Sequence, residues 1–179
     1  MALPPEAPAK DHESVGPTIT GVRLVRATSG DSDLLTQSQV RTFDDDARRF
    51  DSEPSTAAPP AWTNPTNRRL IANSYYYRIE HDQVLVGGLI VLRLDWSEFH
   101  IARIWVETAY QRQGIGSRAM ALLDGRFPQA TLWTVEAPAW AYQRRHFYKG
   151  CGFDVAREAR GTIYYERHRK GILRLRSLP

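Results

Sequence analysis

The sequence has a single cysteine, Cys151, and no long apolar run. One cysteine excludes an internal disulfide and is too few for a structural zinc site, so we expect no metal centre and a reducing compartment. A membrane-spanning helix needs about 20 predominantly apolar residues, and no stretch approaches that length. The first residues also lack the charged and apolar parts of a secretory signal. We therefore expect a cytoplasmic protein with no membrane partner.

The composition is typical of a globular domain, with 179 residues, 42% hydrophobic and 25% charged. Residues 1–17 are rich in proline, alanine and charge, which predicts a flexible N-terminal tail before one domain at 18–179. Acidic residues dominate 31–54, and basic residues dominate 141–179. The commoner explanation is that both charged regions are solvent-exposed faces of the protein. The functional explanation is an acidic surface that binds a cationic substrate and a basic surface that binds phosphates. The charge distribution alone leaves both open.

Hydrophobic periodicity predicts a strand-rich centre followed by strands that alternate with helices. The predicted strands are 18–27, 74–80, 83–95, 100–107, 131–136, 153–157 and 161–167, and the predicted helices are about 34–50, 114–125 and 138–150. The Pro- and Ser-rich stretch 52–67 is expected to be irregular, and Gly87–Gly88 indicates a bulge or a close backbone approach. A strand–helix–strand step inside an antiparallel arrangement predicts one α+β domain. Its mixed sheet, mostly antiparallel with one central parallel pair, is flanked by helices.

The sharpest local feature is the run QRQGIGS at 111–117, which follows a predicted strand and opens a predicted helix. At the start of a helix, free backbone N–H groups lie at the positive end of the helix dipole. Because glycine has no Cβ, an anion can approach the main chain closely there. Arg112 and Arg118 add positive charge. The spacing matches neither a Walker loop nor a dinucleotide-binding loop. The alternative is a tight turn that simply needs glycine.

The stretch IWVETAYQRQGIGSRAMALLD resembles the acetyl-CoA segment of the GCN5-related N-acetyltransferase (GNAT) superfamily. Gln111, Gly114 and Gly116 occupy the defining positions of its pyrophosphate loop, Q/R-x-x-G-x-G/A. The proline that often ends the preceding strand in this family is absent. The resemblance implies that main-chain groups of Ile104, Trp105 and Val106 bind pantetheine. It implies a pyrophosphate site at Arg112, Gln113, Gly114, Ile115, Gly116 and Ser117.

The run FYKGCGF at 147–153 is similar to a second signature of the same family, FYxxxGF. Tyr148 matches the tyrosine that commonly protonates the departing CoA thiolate, so the resemblance implies a catalytic role for it. An asparagine often found earlier on this helix has no counterpart in 137–146. The resemblance covers about residues 70–168 well and the first 70 weakly.

The general base is the least determined part of the predicted site. His100 lies on the strand where several family members place a catalytic carboxylate, and we predict it as the base, since a neutral imidazole accepts a proton near neutral pH. A half-buried histidine with a satisfied hydrogen bond is an equally good interpretation. Ordered water is another alternative, as are the carboxylates Glu80, Glu98 and Glu107.

Several other residues are candidates for holding or shaping the acceptor. Acidic side chains could hold a cationic amine, namely Glu136, Asp44, Asp45 and Asp46, although such residues are more often plain surface. Aromatic side chains could shape a pocket but are more often core: Trp62, Tyr75, Tyr76 and Trp140. Cys151 is expected to be a packed residue rather than a nucleophile.

Together these features predict an N-acetyltransferase that moves an acetyl group from acetyl-CoA to a primary amine by direct attack in a ternary complex. The acceptor would be a small-molecule amine or an amine of a peptide or protein. A non-catalytic acyl-CoA-binding or sensor protein of the same fold stays open as the alternative, and so does a homodimer. A nucleic-acid partner through the basic C-terminal residues is disfavoured, because no RNA- or DNA-reading motif accompanies them.

Overall fold

The structure of the chain, a computed structural model, describes residues 20–49 and 64–169. The predicted tail, Trp62 and residues 170–179 lie outside these ranges. The strands are β1 (Val22–Arg26), β2 (Tyr75–His81), β3 (Val84–Arg93), β4 (Glu98–Val106), β5 (Leu132–Pro138), β6 (Asp154–Ala159) and β7 (Thr162–His168). The α-helices of the described residues are α1 (Ser32–Arg49), α2 (Asn64–Asn73), α3 (Ile115–Arg126) and α4 (Tyr142–Gly150). None of these helices is long and apolar enough to cross a membrane.

The strands form one mixed sheet in the order β1-β2-β3-β4-β5-β7-β6. β4 and β5 run parallel, and every other neighbouring pair is antiparallel. Parallel neighbours need a crossover connection, which α3 supplies between β4 and β5. The predicted α+β fold, a mostly antiparallel sheet with one central parallel pair, is therefore confirmed.

The sheet opens between the C-terminal halves of β4 and β5. Adjacent residues of β3 pair with Arg103 and Ile101, so Ala102 is an extra, bulged residue of β4. The β4–β5 pairing starts at Glu98 and ends at Ile101, immediately before the bulge. β5 remains paired with β7 as far as Pro138. A gap between β4 and β5 therefore follows the bulge.

Apolar side chains cover both faces of the sheet. One cluster buries the inner face of α3 together with Tyr148 of α4, and it includes Phe99 and Ile101 of β4. The other cluster lies under α1 and α2 and includes Trp105. Alternate strand residues point to opposite faces, which is why the sheet can support both clusters.

α2 begins inside the segment that was predicted to be irregular, so that prediction is wrong for residues 64–67. The Asn64 side-chain amide donates to the Asp33 carboxylate of α1. Asn67 is fully buried and donates to Thr36 Oγ1 at 2.7 Å, while its own oxygen accepts from the Tyr76 hydroxyl. These tertiary hydrogen bonds stabilise a helix that the local composition disfavours.

Two proline and glycine positions also differ from the prediction. Pro138 is the last residue of β5 and pairs with Thr162, whereas the sequence placed it in a helical first turn. β5 has no β4 partner at that point, so the missing N–H interrupts no ladder on the β4 side. Gly125, expected to help close α3, lies within that helix, which ends at Arg126.

The Gly87–Gly88 pair explains how β3 and β4 approach each other. A Cβ on Gly87 would stand 2.2 Å from the Trp105 carbonyl oxygen, and one on Gly88 would stand 2.2 Å from the Trp105 ring. Val86 is an extra residue opposite β2, because Ile79 pairs with Gly87 and Glu80 pairs with Leu85. The structure therefore contains both the bulge and the close approach that the sequence indicated.

Replacing Gly87 by alanine is expected to destabilise the fold by about 2 kcal/mol, because the new methyl group must displace a backbone carbonyl. Urea unfolding of the variant and the parent protein measures the difference. Gly30→Ala is the matched control, since its Cβ would find Thr28 Oγ1 at 3.7 Å, an ordinary contact. Equal losses of unfolding free energy for the two variants would contradict the steric explanation.

Candidate active site

The turn after β4 presents main-chain N–H groups at the beginning of α3. Arg112 and Gly114 both have left-handed backbone conformations, with φ of 61° and 78°. The Arg118 N–H donates to the Gly114 carbonyl at 2.9 Å, which is the first hydrogen bond of the helix. The N–H groups of residues 114–117 consequently have no partner within the helix. Together with the positive end of the helix dipole they can bind an anion.

Side-chain contacts from α1 fix the path of this turn. Arg41 pairs with Glu107 at 3.0 Å, and the Thr108 hydroxyl donates to Asp45 at 2.9 Å. One turn further along α1, Arg49 donates to the Gln111 side-chain oxygen at 3.3 Å. Residues four apart on a helix share a face, so one face of α1 supplies all three contacts.

Gln111 connects the turn to β4. Its side-chain nitrogen donates to the Val106 carbonyl at 2.9 Å, while its oxygen accepts from Arg49. The side chain is therefore engaged with the protein on both sides. These two hydrogen bonds connect the turn to the end of β4 and to α1, and the predicted cofactor-binding role of Gln111 stays a prediction.

Gly116 allows α3 to approach β4 and α4 closely. A Cβ at this position would stand 3.1 Å from Phe147 Cε2 and 3.8 Å from Val106 Cγ2. The absence of that carbon leaves the main chain of the first helical turn uncovered where the three elements meet.

A cavity of about 320 Å³ lies at this junction. Every predicted cofactor-binding residue except Gln113 lines it, and so does Tyr148. Gln113 instead donates its side-chain amide to the Ala109 carbonyl at 3.1 Å. The remaining lining residues are Thr42, Phe43, Asp46 and Arg49 of α1, Tyr110 of the turn, and Ala141, Gln143, Arg144 and Phe147 in and before α4. The geometry brings the two sequence motifs to one space, while the roles of the individual residues stay predictions.

The glycine of the second motif ends α4 and so positions Tyr148. Gly152 has φ of 83°, the Phe153 N–H donates to the Tyr148 carbonyl at 3.0 Å, and the Gly152 N–H donates to the Lys149 carbonyl at 3.0 Å. This pair of hydrogen bonds around a left-handed glycine is a Schellman motif. The accompanying apolar contact is the Tyr148–Phe153 ring pair, with centroids 5.9 Å apart. The cap therefore anchors the last turn of α4 beside the cavity.

Tyr148 is almost fully buried and keeps its phenolic proton. Burial raises the pKa of Tyr148 to about 12, and the positive charges of Arg144 and Arg103 act in the opposite direction. A phenol with this pKa is protonated at neutral pH. It is therefore available as a proton donor.

We expect that kcat does not fall between about pH 7 and about pH 10 as a result of Tyr148 losing its proton. The protonated form is the active one, so its contribution falls only as the pH rises through a pKa of about 12. Measuring kcat against pH in the parent protein and in Tyr148→Phe tests this. A descending limb with an apparent pKa below 10 that the variant lacks would contradict it.

The structure does not bring His100 into the cavity. His100 is half-buried on the α1 side of the sheet, and its Nδ1 lies 2.9 Å from Thr134 Oγ1 on the neighbouring strand. Burial lowers the pKa of His100 and the charge of Arg103 lowers it further, whereas Glu136 raises it. The imidazole is thus favoured in its neutral form. Its role as the base stays a prediction.

None of the carboxylates considered as alternative bases is among the described residues that line the cavity. Glu80 is nearly buried and pairs with Arg23 at 3.0 Å and with Arg78 at 3.1 Å. Glu107 pairs with Arg41, and Glu98 is exposed at the start of β4.

Sequence reasoning missed most of the α1 contribution to the cavity. Asp46 was one of several candidate acids, and the structure places its carboxylate 3.3 Å from Arg144 of α4, across the cavity. Thr42, Phe43 and Arg49 were not predicted as site residues. Their spacing places them on one face of the helix, and this spacing was visible in the sequence. Because some of these side chains are polar and others apolar, the spacing produces no clear hydrophobic pattern.

The remaining candidates have ordinary packing environments. Tyr75 and Tyr76 are buried in the two core clusters, and Trp140 is absent from the described cavity wall. Burial raises the pKa of the Cys151 thiol, whose sulfur lies 3.9 Å from Ser117 Oγ. A thiol held protonated in this way is a poor nucleophile, which agrees with its expected packing role.

The fold and the site together define an α+β protein in which a gap between β4 and β5 adjoins a helix start that can bind an anion. The model of the acetyltransferase (GNAT) family matches residues 40–153. The chain belongs to this family.

Two solved structures share the fold, and one further protein is similar in sequence. The structure of paiA N-acetyltransferase from Thermoplasma acidophilum in complex with coenzyme A is similar with a TM-score of 0.72 and 12% identity, covering 83% of this chain and 99% of that one. A GNAT family acetyltransferase from Elizabethkingia anophelis with acetyl-CoA bound gives a TM-score of 0.59 and 13% identity, covering 84% and 99%. The uncharacterized protein YrkN of Bacillus subtilis is 30% identical over 95 residues, which cover 51% of this chain and 48% of YrkN. The match therefore spans about half the length of that relative.

Proposed function

We propose that the protein is an N-acetyltransferase that transfers an acetyl group from acetyl-CoA to a primary amine by direct attack in a ternary complex. The observation that carries the proposal is a single cavity lined both by the start of α3 and by Tyr148. An anion-binding helix start and a nearby proton donor are what acyl transfer from a phosphate-bearing thioester requires. Family membership and the relatives solved with coenzyme A or acetyl-CoA support the choice of acyl donor.

The residues that line the cavity suit both the diphosphate and the pantetheine part of acetyl-CoA. Arg112 and Arg49 lie at the turn, where they complement the charge of a diphosphate. Ile104, Trp105 and Val106 follow the last residue of β4 that pairs with β5. Main-chain groups on that side of β4 can therefore bind the amide groups of pantetheine.

The proposed chemistry joins the amine nitrogen to the thioester carbonyl carbon and releases the thiol. Tyr148 donates its phenolic proton to the leaving sulfur. Backbone N–H groups near Val106 are the proposed hydrogen-bond donors to the carbonyl oxygen as it becomes negatively charged. The Tyr148 phenol thus protonates the leaving sulfur, while main-chain N–H groups stabilise the negatively charged carbonyl oxygen.

Deprotonation of the acceptor is assigned to His100 or to ordered water. A lysine-type amine has a pKa of about 10.4, so only about one molecule in a thousand is unprotonated at neutral pH. His100→Ala is expected to lower the rate more at about pH 6.5 than at about pH 9, because fewer amines are unprotonated at the lower pH. Initial rates at both pH values check this. A loss that is independent of pH would argue against a base role.

Two measurements test the proposed function. Calorimetric titration with coenzyme A measures whether the protein binds the carrier, and release of free thiol from acetyl-CoA in the presence of polyamines, aminoglycosides, amino acids or peptides measures turnover. The proposal predicts saturable binding and amine-dependent thiol release. Binding without release for any amine would instead favour a non-catalytic acyl-CoA-binding or sensor protein.

A further inference from the structure

An ion pair joins two helices that pack on opposite faces of the sheet. α1 covers the cluster that includes Trp105, whereas Tyr148 of α4 belongs to the cluster on the other face. Asp46 of α1 nevertheless lies 3.3 Å from Arg144 of α4, and both side chains line the cavity. Side chains from opposite faces of a sheet can meet only where no strand separates them. The pair therefore lies at the gap between β4 and β5.

Arg144 is held from α1 by two contacts. Its Nη2 donates to Asp46 Oδ2, and its guanidinium carbon lies 5.7 Å from the centre of the Phe43 ring. The side-chain exposure is 28% for Arg144 and 17% for Asp46, and Phe43 is buried. Because solvent screens a partly buried ion pair less than an exposed one, these contacts fix the guanidinium more firmly than a surface pair would.

The pair lies between the two ends of the cavity. Along α1, Arg49 is three residues after Asp46 and donates to Gln111 of the turn, at the diphosphate end of the proposed site. Along α4, Arg144 is four residues before Tyr148, so the two side chains share a face of that helix. The pair is thus about one helical turn from each end. In the proposed complex the pantetheine arm joins the diphosphate to the thioester, so it has to pass this point.

The Arg144 guanidinium can bind that arm while it keeps its contact with Asp46. The ion pair uses Nη2, and a guanidinium has further N–H donors in a planar fork. The amide carbonyls of pantetheine are suitable acceptors, and the arm carries no charge that would compete for Asp46. Main-chain groups of 104–106 border the same cavity from β4. The arm can therefore be bound from β4 and from α4 together.

We propose that Arg144 donates a hydrogen bond to the pantetheine arm of the acyl donor, and that Asp46 is a positioning residue that holds Arg144 for this contact. The inference rests on the proposed function, because it assigns how the same site holds its acyl donor. Since Arg144 and Tyr148 share a face of α4, the contact directs the thioester toward the Tyr148 hydroxyl.

Substituting Asp46 separates this role from a simple effect of charge. Removing a negative charge from the cavity would by itself strengthen the binding of an anion such as coenzyme A. Under the proposal, Asp46→Asn instead weakens coenzyme A binding about fivefold, because Arg144 loses the partner that immobilises it. Calorimetric titration measures the affinity. If Asp46→Asn bound coenzyme A as tightly as the parent protein or more tightly, the inference would be overturned.

A truncated ligand assigns the loss to pantetheine. Adenosine 3′-phosphate 5′-diphosphate is coenzyme A without that arm, and it keeps the phosphates that would lie at the start of α3. Arg144→Gln is expected to weaken coenzyme A binding at least about tenfold and binding of the truncated ligand less than about threefold. Asp46→Asn should bind the truncated ligand as tightly as the parent protein or more tightly. Equal losses for the two ligands in Arg144→Gln would overturn the assignment, since they would indicate a disturbance of the whole site.

Arg145→Gln is the matched control, because it removes the same charge from the neighbouring residue of α4. Arg145 pairs with exposed Glu158 at 3.4 Å and is not among the described residues that line the cavity, so this variant should bind both ligands like the parent protein. A loss as large as that of Arg144→Gln would mean that net charge decides the affinity, which contradicts the inference. If the parent protein binds no coenzyme A, the proposed function fails. If it binds coenzyme A and the cavity variants bind it equally well, only this inference fails.

Discussion

Replacing Tyr148 by phenylalanine is expected to lower kcat about 100-fold while the affinity for coenzyme A stays within about twofold. The phenol is buried and protonated, so its loss removes the proton donor for the leaving sulfur without opening a large space. A 100-fold loss corresponds to about 2.7 kcal/mol of transition-state stabilisation. Steady-state kinetics and calorimetric titration of the same preparation measure the two quantities.

Tyr165→Phe is the matched control for the Tyr148 variant. The Tyr165 ring packs against Tyr148 with centroids 5.0 Å apart, but Tyr165 is not among the residues of the described cavity wall. This control should retain nearly full kcat. Similar losses in the two variants, or equal losses of kcat and coenzyme A affinity in Tyr148→Phe, would indicate that the tyrosine acts through packing.

Gly116→Val is expected to weaken coenzyme A binding at least about 30-fold, or about 2 kcal/mol. The branched side chain would cover the main-chain N–H groups of the first helical turn and press on Phe147, which a Cβ alone already approaches to 3.1 Å. Calorimetric titration measures the loss, and circular dichroism checks that the fold is kept.

Gly150→Val supplies the control for the glycine substitution. A Cβ at Gly150, the last residue of α4, would meet no atom within 4 Å. Coenzyme A affinity should therefore be retained in this variant. If Gly116→Val bound coenzyme A as tightly as the parent protein, the diphosphate would not lie against the start of α3.

The strand-to-helix turn could be predicted from the sequence because its requirements are local. Glycine at 116 is required by the approach of Phe147 from α4, and it was recognised from its place in the family motif. Glycine at 114, in contrast, is required by a left-handed conformation within the turn itself. The same holds for Gly152, whose left-handed cap ends α4 beside Tyr148. Local backbone geometry thus explains why both motifs were recognisable.

The position of His100 could not be predicted, because the bulge of β4 changes which residues share a face. Counting back by two from Val106 and Ile104 would place Ala102 and His100 on the same side of the sheet. The extra residue at Ala102 shifts the alternation, so Ile101 packs with the cluster of Ile104 and Val106. His100 points to the opposite face and contacts Thr134. No composition signal in the strand indicated this bulge.

The contribution of α1 was hidden for a different reason. Asp46 and Arg49 reach Arg144 and Gln111, which are distant in sequence, so their partners could be identified only in the folded chain. Charged residues on a helix are usually solvated. The sequence therefore left Asp46 among several equivalent acids.

Amide chemical shifts during a coenzyme A titration test the central claim most directly. The 20.4 kDa chain can be labelled with ¹⁵N, and its backbone amide signals can be followed one by one. The largest shift changes are expected at residues 114–117, with a second set at 104–106, because the helix-start N–H groups and β4 would contact the ligand. Saturable coenzyme A binding that leaves the signals of 114–117 unchanged would contradict the account.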